Sequence, residues 1–98
     1  MKSRPKIEVE NINHPGILKP VDAAMYASMK RAVLKVIPKR PPGLTVAALE
    51  LAVLAHLPQD QFPNGAKAGW WTKTVQLDLE AKGIIAREKM TPLRLYRV

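Results

Sequence analysis

The sequence predicts a small α+β domain with three helices and a C-terminal β-hairpin. Two observations carry this prediction: apolar residues recur at helical spacing in three segments, and the pattern changes to twofold alternation after Gly83. The chain has 98 residues, of which 47% are hydrophobic, so it has room for one core and one domain. We place this domain at residues 21–98, behind an extended N-terminal arm at residues 1–20.

Capping residues and prolines mark where the first two helices begin and end. Asp22 is a suitable N-cap for a first helix that ends before Pro38. Thr45 is a suitable N-cap for a second helix that reaches about Leu57, and Pro58 ends it. Five apolar residues share one face of the first helix: Tyr26, Met29, Val33, Val36 and Ile37.

Gly83 marks the end of the third helix. No proline interrupts the chain between Asn64, a candidate N-cap, and Thr91, and a glycine at position 83 is typical of the left-handed residue that follows a helix. Residues 93–98 then alternate between apolar and polar as a half-buried strand does. Residues 89–92 are therefore predicted to form the tip of a C-terminal hairpin. Upstream, residues 7–10 are compatible with a short strand.

This order of elements is typical of a winged helix-turn-helix domain, in which the C-terminal hairpin is the wing. Residues 79–87 (LEAKGIIAR) resemble the junction LExKGLIxR of bacterial winged-helix transcriptional regulators, and residues 45–50 resemble the start of their second helix. The stretch from Phe62 to Gly83 is also similar to a family of small uncharacterised bacterial proteins, which implies no activity. The first resemblance implies DNA binding and transcription regulation.

The connection between the second and third helices departs from that pattern. Residues 58–65 are about twice the three or four residues of a usual helix-turn-helix connection. Phe62, the only phenylalanine, is predicted to fill the core beneath this loop. Gly65 and Gly69 permit close backbone approach, to a neighbouring helix by preference or to a phosphate.

Apolar residues lie on two flanks of the third helix. One stripe consists of Ala68, Trp71, Val75 and Leu79, and the other of Trp70, Leu77 and Ala81. The resemblance to regulators implies that Trp70, Lys73, Thr74 and Leu77 face the DNA groove. It also places Gln76 where those proteins have an apolar core residue.

Two interpretations of Trp70 and Leu77 are open. In one, Trp70 packs on a sugar or a thymine methyl while Lys73 and Thr74 contact bases or phosphates. In the other, both apolar side chains are buried under the N-terminal arm or a second subunit. We favour burial, because a helix that is apolar on two sides is usually sandwiched.

The net charge of +8 favours a polyanionic partner such as nucleic acid. Residues 1–43 carry nine Lys/Arg against three Asp/Glu, residues 44–83 carry three against four, and residues 84–98 carry four against one. The third helix is therefore not predicted to be basic. The positive charge lies on the arm, the first helix and the wing, where it is suited to phosphates rather than to bases.

The candidate partner is double-stranded DNA, which the basic wing and arm would hold by its phosphates. The candidate contact residues are Lys67, Trp70, Lys73 and Thr74 in or beside the third helix, and Arg87, Lys89, Arg94 and Arg97 in the wing. The wing cations either reach phosphates or belong to an ordinary solvated hairpin. The second hypothesis is a structural or protein-interaction domain that forms a homodimer through the third helix and the arm, without DNA.

Nothing in the sequence indicates catalysis. The two histidines, His14 and His56, have no second ligand at metal-binding spacing, and without cysteine there is neither a disulfide nor a thiolate zinc site. Lys2 and Arg4 resemble the start of a signal peptide, but no apolar segment follows them. We therefore predict a cytoplasmic protein that is not an enzyme and has no cofactor, membrane association or small-molecule substrate.

Overall fold

The computed structural model describes residues 4–98, which form three helices and five short strands. The helices are α1 (Ala23–Val36), α2 (Val46–Val53) and α3 (Ala68–Ala81). The strands are β1 (Lys6–Val9), β2 (Lys19–Asp22), β3 (Leu44–Thr45), β4 (Ile85–Glu88) and β5 (Arg94–Arg97). The α+β class is confirmed. Residues 1–3 of the predicted arm, which include Lys2, lie outside the described residues.

The strands of the described chain form two small antiparallel sheets. β1 pairs with β2, with Val9 opposite Lys19. The other sheet has the order β3-β5-β4, and in it Ile85 lies opposite Arg97. The C-terminal hairpin, which consists of β4, β5 and the intervening residues 89–93, is thus present where the sequence predicts it. Its tip is one residue longer than the predicted 89–92.

The predicted extended arm is instead a β-hairpin packed on the core. This N-terminal hairpin consists of β1, β2 and the loop between them, and its Val9 and Val21 side chains are buried with those of the helices. The boundary drawn between residues 20 and 21 falls within β2. The short strand expected at residues 7–10 corresponds to β1 at Lys6–Val9. The prediction of an extended arm was wrong because the pairing of β1 with β2 depends on residues outside that stretch, and a sheet this short gains its stability from the surface beneath it.

Both predicted N-caps of the first two helices are confirmed. The Asp22 side chain accepts a hydrogen bond from the Met25 N–H at 2.9 Å, and the Thr45 hydroxyl accepts one from the Ala48 N–H at 3.1 Å. Helix α1 ends at Val36, before Pro38, as predicted. The α-helical part of α2 is shorter than predicted, because a 3₁₀ turn at Leu54–His56 tightens its last residues.

The two ends of α3 differ in how well the sequence predicts them. Gly83 has φ +73°, its N–H donates to the Glu80 carbonyl, and the Ile84 N–H donates to the Leu79 carbonyl at 2.9 Å. This is the Schellman arrangement, so the predicted stop is confirmed. The prediction that Asn64 caps α3 was wrong. Asn64 belongs to a separate 3₁₀ turn, and the left-handed residue that precedes α3 is Lys67.

One core joins the three helices and both sheets. The predicted stripe of Ala68, Trp71, Val75 and Leu79 on α3 is buried. Phe62 fills the core beneath the α2–α3 loop, edge-on to Trp71 with ring centroids 6.5 Å apart. The fully buried side chains include Met29, Leu49, Val75, Leu79 and Leu95. Within residues 4–98, no helix has both the length and the hydropathy needed to cross a bilayer.

Gly43 is a packing position that sequence reasoning missed. It has φ +85°, and a Cβ there would lie 1.9 Å from the Leu95 carbonyl oxygen. Its own carbonyl accepts a hydrogen bond from Arg94 Nη1 at 3.0 Å. Only glycine permits this approach, which holds the start of β3 against β5. Of the two glycines for which the sequence predicts a close backbone approach, Gly65 lies near Leu54, whereas Gly69 faces open space.

Candidate functional site

The N-terminal hairpin divides the outward surface of α3 into a covered half and an open half. Leu77, in the C-terminal half, is 8% exposed, whereas Trp70, at the N-terminal end, is 47% exposed. Ala81 faces the hairpin loop across a small cavity that residues 10–12, 15 and 16 also line. The predicted burial is therefore confirmed for Leu77. Within one chain it was wrong for Trp70, because an open cavity separates the N-terminal hairpin from the first turns of the helix.

Both acidic residues of α3 point into the domain. Asp78 is 0% exposed: one carboxylate oxygen accepts a hydrogen bond from the Glu10 N–H at 2.8 Å, and the other accepts one from the Tyr26 hydroxyl. Lys82 Nζ lies 2.5 Å from Asp78 Oδ1. Burial, followed by the hydrogen bond and the negative charge of Asp78, raises the pKa of the Tyr26 hydroxyl well above its ordinary value. Asp78 therefore joins α3 to α1 and to the N-terminal hairpin.

Glu80 has the corresponding role toward the C-terminal hairpin. It is 7% exposed and receives Arg87 Nε at 2.5 Å, Arg87 Nη2 at 3.0 Å and Gln76 Nε2 at 2.8 Å. The hydrogen bond to Glu80 raises the pKa of the Arg87 guanidinium, because it favours the charged form. Gln76, which the resemblance to regulators placed at an apolar position, is thus buried as a partner of a carboxylate.

Because Asp78 and Glu80 are both buried, the exposed surface of α3 is more positive than the formal charge of the helix indicates. The exposed charged side chains in or beside this helix are Lys67, Lys73 and Lys82, and of these Lys82 is held by Asp78. The sum of formal charges over residues 44–83 hides this, since it weights a buried carboxylate equally with an exposed lysine. The expectation that helix three is not basic holds for its total charge, since α3 carries Lys73 against Asp78 and Glu80, but its exposed charged side chain is a lysine.

Four of the predicted contact residues cluster at the open end of α3. This α3 face consists of Lys67, Trp70, Lys73 and Thr74, all at least partly exposed. A fifth residue, which sequence reasoning missed, joins it from the N-terminal hairpin: Lys19 Nζ lies 4.9 Å from the centroid of the Trp70 ring. This distance is within cation–π range. The missed signal was the register of β2, which no local sequence pattern reveals.

The four predicted wing cations do not form one equivalent set. Arg87 is bound to Glu80, and Arg94 donates to the Gly43 carbonyl. Both side chains are partly buried, as is Arg97. Lys89, at the tip of the C-terminal hairpin, is exposed. Two of the four therefore have structural partners, and Lys89 is the exposed cation of the set.

Cavities lie on both sides of Trp70. One, the hairpin cavity, has a volume of about 490 Å³ and lies between the N-terminal hairpin and the outward side of α3. The second, of about 740 Å³, lies between Trp70 and the loop before α3, and is lined by Lys67, Met25 and Trp71 among others. Within residues 4–98, no cluster of three His, Cys, Asp or Glu residues is placed to hold a metal ion.

Comparison with known proteins identifies the family. No curated protein and no solved structure matches the chain. The model of a family of unknown function, DUF6958, matches residues 6–95. The matched segment begins at the first residue of β1 and runs into β5, so it includes the N-terminal hairpin, the α3 face and most of the C-terminal hairpin. The chain therefore belongs to the DUF6958 family.

Proposed function

We propose that this protein is a winged helix-turn-helix protein that binds double-stranded DNA through the open end of α3. The order α1, β3, α2, α3, β4, β5, with β3 joined to the C-terminal hairpin, supports the winged-helix assignment. The resemblance of residues 79–87 to transcriptional regulators adds a regulatory role. A cytoplasmic, non-enzymatic protein is part of the same proposal.

A single observation carries the DNA-binding proposal: the acids of α3 are buried, while Lys67 before the helix and Lys73 within it line the cavities on either side of the exposed Trp70. Lys67 and Lys73 offer phosphate contacts, and Trp70 offers a surface for sugar or a thymine methyl. Lys19 adds charge from the N-terminal hairpin, and Lys89 adds charge at the tip of the wing. The open half is the N-terminal half, the part of a recognition helix that approaches the bases in helix-turn-helix complexes.

Salt dependence of binding tests this proposal. Fluorescence anisotropy with a labelled duplex of mixed sequence should give an affinity that falls steeply as salt rises, because each contacted phosphate releases counterions. Lys73→Gln should weaken binding and reduce the slope of log affinity against log salt by about 1. Lys35→Gln, an exposed lysine on α1, is the matched control and should change neither quantity much.

Two results would contradict the proposal. One is an absence of duplex binding at micromolar protein and low salt. The other is equal weakening by Lys73→Gln and Lys35→Gln, which would indicate a diffuse charge effect rather than a defined surface. Trp70→Ala provides a further check, since Trp70 is half exposed: the variant should fold normally and bind duplex DNA less tightly.

A second candidate function, homodimerisation without DNA, has an observation of its own. Ile17 and Leu18 in the N-terminal hairpin are 65% and 51% exposed, and Ile17 lines the hairpin cavity together with Trp70. Exposed apolar side chains that lie together are typical of interaction surfaces. A dimer formed here should persist at high salt, unlike a DNA complex.

Sedimentation equilibrium distinguishes this candidate from DNA binding. Ile17→Glu should convert a dimer into a monomer, whereas Leu51→Glu, at a 72% exposed position on α2, should leave it intact. A wild-type protein that is monomeric at high micromolar concentration would exclude the homodimer.

A further inference from the structure

The hairpin cavity is an open cleft between two elements that are fixed to each other. One side is the outward surface of α3, and the other is the N-terminal hairpin with its loop. The Glu10 N–H donates to Asp78, so the hairpin is attached to α3 at the edge of the cavity. Asp78 is itself held by Tyr26 from α1. The cavity is therefore present before any ligand binds, and its formation costs little on binding.

The walls of the cavity suit a flat apolar group. Four of its lining residues are apolar: Val9 and Leu77, which are buried, and Ile17 and Trp70, which are exposed. Its volume of about 490 Å³ falls in the range of small-molecule sites, which are mostly apolar and carry a few polar groups. A ring system can pack against the Trp70 indole here in an offset or edge-on arrangement.

The polar groups of the cavity favour a negative charge on that ligand. Lys19 and Lys73 line it from opposite elements, and Lys19 already lies over the Trp70 ring. Glu10 is the one carboxylate among the lining residues of the described chain, and His14 lines the loop side. Two ammonium groups against one carboxylate leave a net positive charge beside an aromatic wall, a combination that recognises an aromatic anion.

We propose that the hairpin cavity is a binding site for a small aromatic carboxylate, with the ring against Trp70 and the carboxylate between Lys19 and Lys73. The site does not depend on DNA binding by the domain. Since Trp70 and Lys73 also belong to the α3 face, the ligand and DNA would compete wherever both bind.

The test uses 2-naphthoate as the probe and the uncharged 2-naphthalenemethanol as its matched control. In two-dimensional NMR of the whole protein, 2-naphthoate should shift the Trp70 indole N–H and the backbone amides of residues 9–11 and 17–19. The shifts should saturate with a dissociation constant of roughly 1 mM or below, as expected for a ligand of this size. 2-Naphthalenemethanol should bind about tenfold more weakly.

Charge variants provide the second measurement. Lys19→Met and Lys73→Met keep the apolar part of the side chain and should each weaken 2-naphthoate binding roughly fivefold. Glu10→Gln keeps the backbone N–H that Asp78 accepts, and it should strengthen binding about threefold. Lys35→Met is the control and should leave the affinity unchanged.

Three outcomes would overturn the proposal. The first is the absence of a saturable shift at millimolar 2-naphthoate. The second is equal affinity for 2-naphthoate and 2-naphthalenemethanol, because the lysines would then contribute nothing. The third is a set of shifts centred on Gln61 and Ala66, which would place the ligand in the second cavity. None of these measurements contains DNA, so their outcome is separate from that of the DNA-binding test.

Discussion

The two β-hairpins that flank α3 are each attached to it by one buried carboxylate, but the attachments differ in kind. Asp78 binds the N-terminal hairpin through a backbone amide, that of Glu10, and extends into the core through the Tyr26 hydroxyl. Glu80 binds the C-terminal hairpin through a guanidinium, that of Arg87, whose side chain remains 30% exposed. The first attachment is a core feature, whereas the second lies at the edge of solvent.

α3 contributes to the stability of the fold through its buried acids and to an exposed surface through its lysines. The acids of α3 satisfy donors from neighbouring elements, and polar groups buried in this way must be satisfied because an unpaired one is costly. The lysines remain outside and are available to a partner. A substitution at an acid should therefore change stability, while a substitution at Lys67 or Lys73 should change binding with little effect on stability.

Gly43→Ala should have the largest effect on the free energy of unfolding, and it tests the close approach of the chain before β3 to β5. Gly43 and Gly16, in the N-terminal hairpin, share a φ of +85°, but only Gly43 faces a backbone atom, the Leu95 carbonyl oxygen. We expect Gly43→Ala to lower the free energy of unfolding by about 4 kcal/mol, and Gly16→Ala by about 1 kcal/mol for its backbone conformation alone. Urea denaturation followed by circular dichroism measures both. Equal losses would contradict the close approach at Gly43.

Asp78→Ala should have the next largest effect and lower the free energy of unfolding by about 3 kcal/mol. It leaves the Glu10 N–H and the Tyr26 hydroxyl without their acceptor. Hydrogen exchange locates the loss: amides of β1 and β2 should lose protection, and those of β4 and β5 should lose much less. Similar loss of protection in both hairpins would show that Asp78 does not act selectively on the N-terminal one.

Glu80→Gln should cost less, about 1.5 kcal/mol, because the partly exposed Arg87 can turn to water when its partner is lost. Arg87→Met should cost about 2 kcal/mol, because it leaves the buried Glu80 carboxylate with Gln76 as its remaining donor. A double-mutant cycle should give a coupling energy of about 1 kcal/mol between the two positions. The lost protection should now lie in β4 and β5. A coupling energy near zero would show that the ion pair between Glu80 and Arg87 does not hold the C-terminal hairpin to α3.

Tyr26→Phe should have the smallest effect, about 1 kcal/mol near pH 7, and it has a distinctive pH dependence. The pKa of Tyr26 is raised in the folded state, so its contribution is complete below the unfolded value of about 10 and is lost as pH rises above it. The difference in unfolding free energy between wild type and Tyr26→Phe should therefore narrow above about pH 10. A constant difference from pH 7 to pH 11 would contradict the raised pKa of Tyr26, which its burial and its contact with Asp78 produce.

Local signals made some parts of this fold predictable. The Asp22 and Thr45 caps, the Gly83 stop and the twofold alternation after it each act within a few residues, and each is present in the structure. The N-terminal hairpin, by contrast, depends on the surface that Val9 and Val21 cover. The exposure of Trp70 depends on where the loop of that hairpin ends. Neither is contained in a short stretch of sequence.

The sequence by itself determined the α+β class, the helix limits set by capping residues, Pro38 and Gly83, and the total charge of +8. Only the tertiary structure decided where that charge acts. It buried Asp78 and Glu80 against donors from other elements and left Lys67 and Lys73 outside. The physical reason is that a cap or a stop is a local interaction, whereas burial and charge pairing depend on residues far apart in the chain. Asp78 and Tyr26, 52 positions apart, are one such pair.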